Sequence, residues 1–297
     1  MSSSTAQLFW LASYPKSGNT WTRSFIAALK KVAGDTDEAK KSADDSIDID
    51  LNELRTGPIA SGREWVEQAL GFSLDGFNPD EIDALRPDAY RYVNTMAEEL
   101  SYHKAHDAYS WVGQGSAQQP MFPNEVTRGA LYIVRNPLDV CISFANHSKC
   151  SIDEAIARMN YEDGGFCKTS IGQANQLRQW LWRWSDHVRS WQQSGLPLKL
   201  VRYEDMRLNP LDTFTEIARF LELPHHQEAI EAALELTRFE RLQEKERHSG
   251  FREKPPGVES FFRKGIVGDW RTTLSPEQVQ RIVENHNEVM AELGYLP

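Results

Sequence analysis

A short turn near the start of the chain holds the residues best suited to chemistry: Lys16, Ser17, Gly18, Asn19 and Thr20. The apolar run Leu8–Ala12 before it has the length and composition of a buried parallel strand. Apolar residues then recur at helical spacing, which predicts a helix from about Asn19 or Thr20. Loop amides and the free N–H groups of a helix N-terminus point at one spot, where the helix dipole adds positive charge. The turn is therefore expected to hold a phosphate or an anion of similar shape.

This turn differs from a Walker A sequence. That motif reads GxxxxGK followed by Ser or Thr, whereas here Lys16 precedes Gly18 and Ser13 stands where the first glycine would be. From the turn alone, an ordinary strand-to-helix connection with a surface lysine stays open as the alternative.

A second strand, turn and helix repeats the arrangement within Gly129–His147. Ala130–Val134 reads as a buried strand, Arg135-Asn136-Pro137 interrupts it, and a helix is predicted from about Leu138. A guanidinium offers a rigid fork of donors to a phosphate, and the Ser143 hydroxyl can close around the same group. The alternative is an arginine that caps a strand end beside a carboxylate.

Two further segments carry cations. Arg263, Lys264 and Gly265 lie in the loop FRKGIVGDWR, which concentrates positive charge suited to a phosphate, although such pairs are usually solvated surface. Lys104-Ala105-His106 adds a lysine and a histidine, and the pKa of an unperturbed histidine suits a general base, although a lone histidine more often has a structural role. His103 competes for that role, but on a strand it would share a face with Ala105 rather than with His106.

These segments resemble motifs of the cytosolic-type sulfotransferases, which use 3′-phosphoadenosine-5′-phosphosulfate (PAPS) and release 3′-phosphoadenosine-5′-phosphate (PAP). YPKSGNTW is similar to the family's 5′-phosphosulfate loop YPKSGTTW, with Asn19 where a threonine is usual. RNPLDVCIS resembles its 3′-phosphate segment RNPxDVxxS, and RKGIVGDWR resembles RKGxxGDWK, with Arg271 for the final lysine. Lys104-Ala105-His106 matches its K-x-H element in spacing, and VRYEDM resembles its YEDM element.

The resemblance implies transfer of a sulfuryl group from PAPS to a hydroxyl or amine of a small acceptor. It implies His106 as general base, Lys16 at the bridging leaving oxygen and Lys104 at the transferring sulfonate. Ser143 is implied to bind the 3′-phosphate and to tune Lys16. The implied cofactor-binding residues are Lys16, Ser17, Gly18, Asn19, Thr20, Trp21, Arg135, Ser143, Tyr203, Thr237, Phe239, Arg263, Lys264 and Gly265. No metal is implied, since PAPS lacks the β/γ-phosphate pair that Mg²⁺ bridges in kinases.

Part of this ligand description also follows from the residues themselves. Two separate cationic loops indicate a ligand with two anionic ends. Trp21, just after the first loop, can stack on a purine, an interaction of ~1–3 kcal/mol in single-strand binders.

The predicted fold is one α/β domain over residues 1–297, with a central parallel sheet flanked by helices, similar to P-loop kinases and sulfotransferases. The ligand is expected across the carboxyl ends of the strands. Residues 173–193 are predicted to form one amphipathic helix packed in the core, because six apolar residues recur there at helical spacing: Leu177, Trp180, Leu181, Trp184, Val188 and Trp191.

Composition limits the partners. A net charge of −10 argues against general binding of nucleic acid or anionic membranes. Three cysteines without zinc-ligand spacing predict neither a disulfide framework nor a metal cluster. No signal peptide is evident, and Leu8–Ala12 is too short to span a membrane, so the protein is expected to be cytoplasmic. A homodimer is left open, because Lys254–Glu259 resembles the family's dimerisation motif only distantly.

The acceptor is not defined by the sequence. In the family, variable loops line the acceptor pocket, and here they correspond to 34–100, 107–125, 148–172 and 240–260. Aromatic residues in these segments suggest that the acceptor is a largely hydrophobic alcohol or phenol: Trp65, Phe72, Tyr109, Trp111, Phe122 and Phe166. The alternative is that these residues belong to the core. Two other functions stay open, a small-molecule kinase of P-loop ancestry and a non-catalytic nucleotide-binding protein. The missing GK[ST] order disfavours the kinase, and the Lys104/His106 pair disfavours the non-catalytic protein.

Overall fold

The computed structural model describes residues 5–34, 49–52, 54, 58–168 and 175–297. Its strands are β1 (Leu8–Ser13), β2 (Ser101–Ala105), β3 (Trp111–Val112), β4 (Gln119–Pro120), β5 (Thr127–Val134), β6 (Gly165–Phe166), β7 (Gln179–Trp180) and β8 (Leu198–Arg202). Its α-helices are α1 (Asn19–Gly34), α2 (Arg63–Leu70), α3 (Pro79–Met96), α4 (Pro137–Ser148), α5 (Ile152–Met159), α6 (Trp184–Gln192), α7 (Tyr203–Leu208), α8 (Pro210–Phe220), α9 (Gln227–Leu236), α10 (Phe239–Ser249), α11 (Trp270–Thr273) and α12 (Pro276–Glu292).

Among the described residues, four strands form the central sheet, in the order β2-β1-β5-β8, and every neighbouring pair is parallel. β1 is buried along its whole length, as expected for an inner strand covered on both faces. Alternate residues of β1 enter two different clusters: Trp10 packs on one face with Trp184 and Trp191, while Phe9 and Leu11 pack on the other. Helices therefore cover both faces, and the predicted fold class is confirmed.

The prediction of one helix over 173–193 is wrong for its first half. Residues 169–174 lie outside the described part of the chain, and the helix is only α6. Before α6, β7 pairs with β6, and the N–H groups of Leu181 and Trp182 both donate to the Gly164 carbonyl. Leu177 and Leu181 are nonetheless buried. The apolar spacing thus marked core positions, as predicted, but not one continuous helix.

In the described residues, no helix is long and apolar enough to cross a membrane. All three cysteines are free thiols.

Candidate active site

A cavity lies where the strands of the central sheet end. Its volume is about 490 Å³, and residues that follow β1, β2, β5 and β8 line it, among them Lys16, His106, Arg135 and Tyr203. The carboxyl edge of a parallel sheet is the usual ligand-binding edge of such folds. Each of the predicted motifs therefore contributes to one cleft.

The turn between β1 and α1 forms a tight loop against Tyr203. Gly18 has φ +107°, and a Cβ there would stand 2.8 Å from the Tyr203 ring. The Asn19 amide donates to the Leu11 carbonyl at 2.8 Å and to Ser13 Oγ at 3.2 Å, which ties the first turn of α1 to the end of β1. Glycine is required for this close approach, and the asparagine fixes the loop.

Several buried polar atoms in and beside this loop have no hydrogen-bond partner among the described residues. They are Ser17 Oγ, Asn19 Oδ1, Trp21 Nε1 and Arg135 Nε. Buried polar groups are almost always paired, so the three donors among them, on the cavity wall at Trp21 and Arg135 and next to Lys16 at Ser17, fit a ligand that carries acceptor oxygens.

Arg135 connects the first loop with the loop 263–269. Its Nη1 donates to the Lys16 carbonyl at 3.3 Å and its Nη2 to the Ile266 carbonyl at 3.1 Å, while the guanidinium lies 4.4 Å from the Tyr203 ring centroid. Asp139 on α4 holds the same loop, because its carboxylate accepts the N–H groups of Gly268 at 2.7 Å and Trp270 at 3.0 Å.

The cations of loop 263–269 are paired within the loop. Asp269 accepts a hydrogen bond from Arg263 and another from Lys264, each at 2.7 Å. Burial acts to raise the pKa of Asp269, but these two cations outweigh it and the pKa is lowered. Gly265 has φ +61°, and a Cβ there would stand 2.5 Å from the Phe239 ring. The loop backbone therefore packs directly on Phe239.

Aromatic rings line the side of the cleft between these loops. Trp21 meets Tyr203 edge-on with ring centroids 6.2 Å apart, and Phe239 also lines the cavity. The Arg207 guanidinium lies 5.6 Å from the Trp21 ring and 6.0 Å from the Phe239 ring. A planar aromatic group would find stacking surfaces here.

Lys16 and Lys104 place two amines near the centre of the cleft. Burial, aided by the charges of Lys104 and Arg135, lowers the pKa of Lys16 to about 7. Burial also lowers the pKa of Lys104, although the Glu253 carboxylate opposes this effect. The Lys16 Nζ lies 3.6 Å from the centroid of the Phe261 ring. An anion bound between these amines would favour their charged forms.

His106 is held in one tautomer. Its Nδ1 lies 2.8 Å from the Ser13 carbonyl oxygen, and since that oxygen can only accept, Nδ1 carries the proton. Nε2 is then an unprotonated acceptor. Burial and the Lys104 charge lower the pKa of His106 well below its ordinary value, so the ring is neutral at pH 7. His187 Nε2 approaches the His106 carbonyl oxygen at 2.9 Å and fixes the backbone.

His103, the competing histidine, has a structural position. Its ring is buried between Trp10 and Trp65, with centroid distances of 5.6 and 5.0 Å, and its Nε2 pairs with Ser101 Oγ at 2.8 Å. His106, which directly follows strand β2, lines the cavity instead.

The structure brings most of the predicted site residues to the cavity wall. These are Lys16, Gly18, Asn19, Thr20, Trp21, Lys104, His106, Arg135, Ser143, Tyr203, Phe239, Arg263, Lys264 and Gly265. Ser17 is fully buried and is not among the residues that line the cavity. Thr237 does not reach it, because its hydroxyl is buried and donates to the Ala233 carbonyl of α9 at 2.7 Å.

The wall also holds residues that sequence reasoning did not select: Glu253, Phe261, His147, Arg207, Gln176 and Gln179. Arg23, one turn along α1 from Asn19, reaches the same region through Glu253. His147 lies one helical turn after Ser143, a spacing that could have revealed it. Glu253 carries no such signal, since its partners are remote in the sequence.

Of the six aromatic residues proposed for the acceptor, Phe166 lines the cavity. Trp65 and Phe122 pack around Trp10 and Tyr90, whereas Trp111 is 61% exposed at the surface. Two of the four variable segments, 148–172 and 240–260, contain residues that line the cavity in the described part of the chain. Residues 35–48, within the first of those segments, lie outside the described chain.

Fold and cleft together define a parallel α/β protein with an anion-binding site at the carboxyl edge of its sheet. The family model for the sulfotransferase domain matches residues 117–294. Sulfotransferase 1B1 of Canis lupus familiaris is 32% identical over 279 residues, covering 91% of this chain and 79% of that protein. Cytosolic sulfotransferase 17 of Arabidopsis thaliana is 25% identical, and the match covers 97% of this chain and 75% of that protein. The chain belongs to the sulfotransferase family.

Solved structures support the fold. Mouse sulfotransferase SULT7A1 complexed with PAP gives a TM-score of 0.58 at 16% identity, over 96% of this chain and 85% of that one. Retinol dehydratase in a complex with retinol and PAP gives a TM-score of 0.59 at 17% identity, and the match covers 96% of this chain and 82% of that one.

Proposed function

We propose that this protein transfers the sulfuryl group of PAPS to a hydroxyl or amine of a small, partly hydrophobic acceptor, with His106 as general base. The observation that carries the proposal is the arrangement of His106 in the cleft. Its Nδ1 proton is held by the Ser13 carbonyl, its Nε2 is a free acceptor, and Lys16 and Lys104 line the same cavity. Sulfuryl transfer is the reaction class of the family to which the chain belongs.

The residues present fit the charge and shape of PAPS. Ser17, Trp21 and Arg135 each offer a buried donor without a partner among the described residues, as an anionic ligand requires. Lys16 and the α1 N-terminus would hold the 5′-phosphosulfate, and Arg135, Ser143 and the 263–265 loop the 3′-phosphate. The purine would stack between Trp21 and Phe239. Both structural neighbours described above are complexes with PAP.

His106 would take the proton of the acceptor hydroxyl as the new S–O bond forms and the S–O bond to the phosphate breaks. A neutral ring is needed for this step, and the lowered pKa of His106 supplies it. The tautomer matters equally, because only Nε2 retains a lone pair. The Ser13 carbonyl would stabilise the imidazolium that forms.

Lys16 and Lys104 would stabilise the negative charge that develops in the transition state. Lys16 is assigned to the bridging oxygen that leaves with PAP, and Lys104 to the sulfonate oxygens. Preorganised charges in a buried site are the largest single contribution in many enzymes, and transfers of this type depend mainly on positioning and charge. Catalysis without a metal is part of the proposal, as is the cytoplasmic location.

Transfer of labelled sulfate from PAPS tests this function on a panel of phenols, alcohols and amines. We expect product with at least one acceptor class, and loss of product in His106→Ala with PAP affinity unchanged within threefold. His106→Ala that retains full turnover would exclude His106 as the base. A wild-type protein that binds PAP but transfers to no member of the panel would favour the non-catalytic alternative.

A further inference from the structure

A segment of the chain that we call the strap, residues 251–262, lies over the cleft. Its two ends are anchored, because Phe251 and Phe262 pack with Leu242 in one buried cluster. The Glu246 carboxylate of α10 accepts the backbone N–H groups of Phe261 at 2.7 Å and Phe262 at 2.9 Å. The strap leads directly into the loop 263–269.

Within the strap, Glu253 extends its carboxylate into the centre of the site. One oxygen accepts from Arg23 Nη1 at 2.6 Å and the other from Lys104 Nζ at 2.9 Å. The Glu253 side chain is only 12% exposed, so these are charge-assisted bonds in a largely dry environment. Burial acts to raise the pKa of Glu253, but the charges of Lys104 and Arg23 outweigh it, so the pKa is lowered and the group is ionised.

Resting on the proposed function, we propose that Glu253 competes with the sulfonate of PAPS for Lys104 and so makes the site distinguish PAPS from PAP. Glu253 already accepts a hydrogen bond from the Lys104 ammonium at 2.9 Å, so a sulfonate that binds Lys104 would have to share that ammonium with it. Two anions on one ammonium would stand within a few ångströms of each other, where like charges repel strongly in a buried site. PAP has no sulfonate, and the contact between Glu253 and Lys104 can persist beside it.

The consequence is a strap whose contacts depend on which nucleotide is bound. With PAPS, Lys104 turns to the sulfonate and Glu253 retains only Arg23. With PAP, both contacts of Glu253 remain. The Glu253 carboxylate therefore weakens the binding of PAPS but not that of PAP.

Calorimetric titration of the full chain with PAP and with PAPS, in the absence of acceptor, tests this inference. Glu253→Gln keeps the size of the side chain but removes its charge. We expect this variant to bind PAPS at least tenfold more tightly than the wild type, with PAP affinity changed less than threefold. Glu259→Gln, an exposed carboxylate of the same strap, is the matched control and should leave both affinities unchanged.

Hydrogen exchange of the strap in the wild-type protein gives a second readout that does not depend on how the variant folds. Amides of residues 251–262 should exchange faster with PAPS bound than with PAP bound. Equal changes in both affinities, weaker binding of PAPS by Glu253→Gln, or equal exchange with the two nucleotides would each overturn the inference. Failure of the wild type to bind either nucleotide would instead refute the proposed function.

Discussion

The lowered pKa of Lys16 predicts that nucleotide binding weakens as the pH rises above neutrality. Burial and the charges of Lys104 and Arg135 set this pKa at about 7 in the ligand-free protein, so Lys16 is about half protonated at pH 7. A bound anion stabilises the ammonium and raises its pKa. Binding then takes up a proton, and the affinity must fall as protons become scarcer.

The size of the effect follows from the two pKa values. If PAP restores the ordinary Lys16 pKa of 10.5, the dissociation constant rises about 16-fold between pH 7 and pH 8.5, or about 1.6 kcal/mol. Proton uptake on binding grows from about 0.5 to about 1 per protein over that range. His106 and His147 do not contribute, because burial and neighbouring cations hold the pKa of each below neutrality, that of His147 at about 3.

Calorimetry in buffers with different ionisation enthalpies measures both the affinity and the proton uptake. Lys16→Arg is the matched control, because a guanidinium stays charged throughout this range and should abolish the pH dependence while retaining binding. A dissociation constant for the wild-type protein that is flat from pH 7 to pH 8.5 would refute the assignment of Lys16 to the anion site.

Three further perturbations have defined outcomes. Asp107→Asn removes the carboxylate that accepts two 2.9 Å hydrogen bonds from fully buried Arg86, and should lower the free energy of unfolding, measured in urea, by about 3–5 kcal/mol. Arg91→Gln, which breaks an ion pair at the surface, is the control and should lower that free energy by less than about 1 kcal/mol. Gly265→Ala would force a Cβ onto the Phe239 ring and should weaken PAP binding by about tenfold. Gly34→Ala is the matched control, since its Cβ meets nothing within 4 Å and should leave PAP binding unchanged. EDTA should leave turnover unchanged, and inhibition reversed by added metal would contradict the metal-free proposal.

The sequence predicted structure best where an apolar pattern of a strand or helix adjoins a turn. The β1 strand, the turn through Gly18 and the start of α1 were all predicted, because their signals lie within a few consecutive residues. Arg135 was predicted for the same reason, as it interrupts an apolar strand and precedes a helix.

Features that depend on remote contacts were not predicted. Glu253 meets Lys104 across 149 positions of sequence, and no periodic pattern links the two residues. The helix predicted from residue 173 failed because apolar residues at helical spacing can equally line an irregular segment in the core. Thr237 lies beside Phe239 in the sequence, yet the end of α9 turns its hydroxyl inward to Ala233.

Titration of the purified protein with PAP, and separately with ATP and Mg²⁺, is the measurement that decides whether this cleft is a PAPS site. We expect PAP to bind at micromolar concentration or tighter, with weaker binding in Lys16→Ala and in Arg135→Ala. ATP with Mg²⁺ should bind far more weakly. Binding of ATP with Mg²⁺ without binding of PAP would contradict the assignment and favour a kinase.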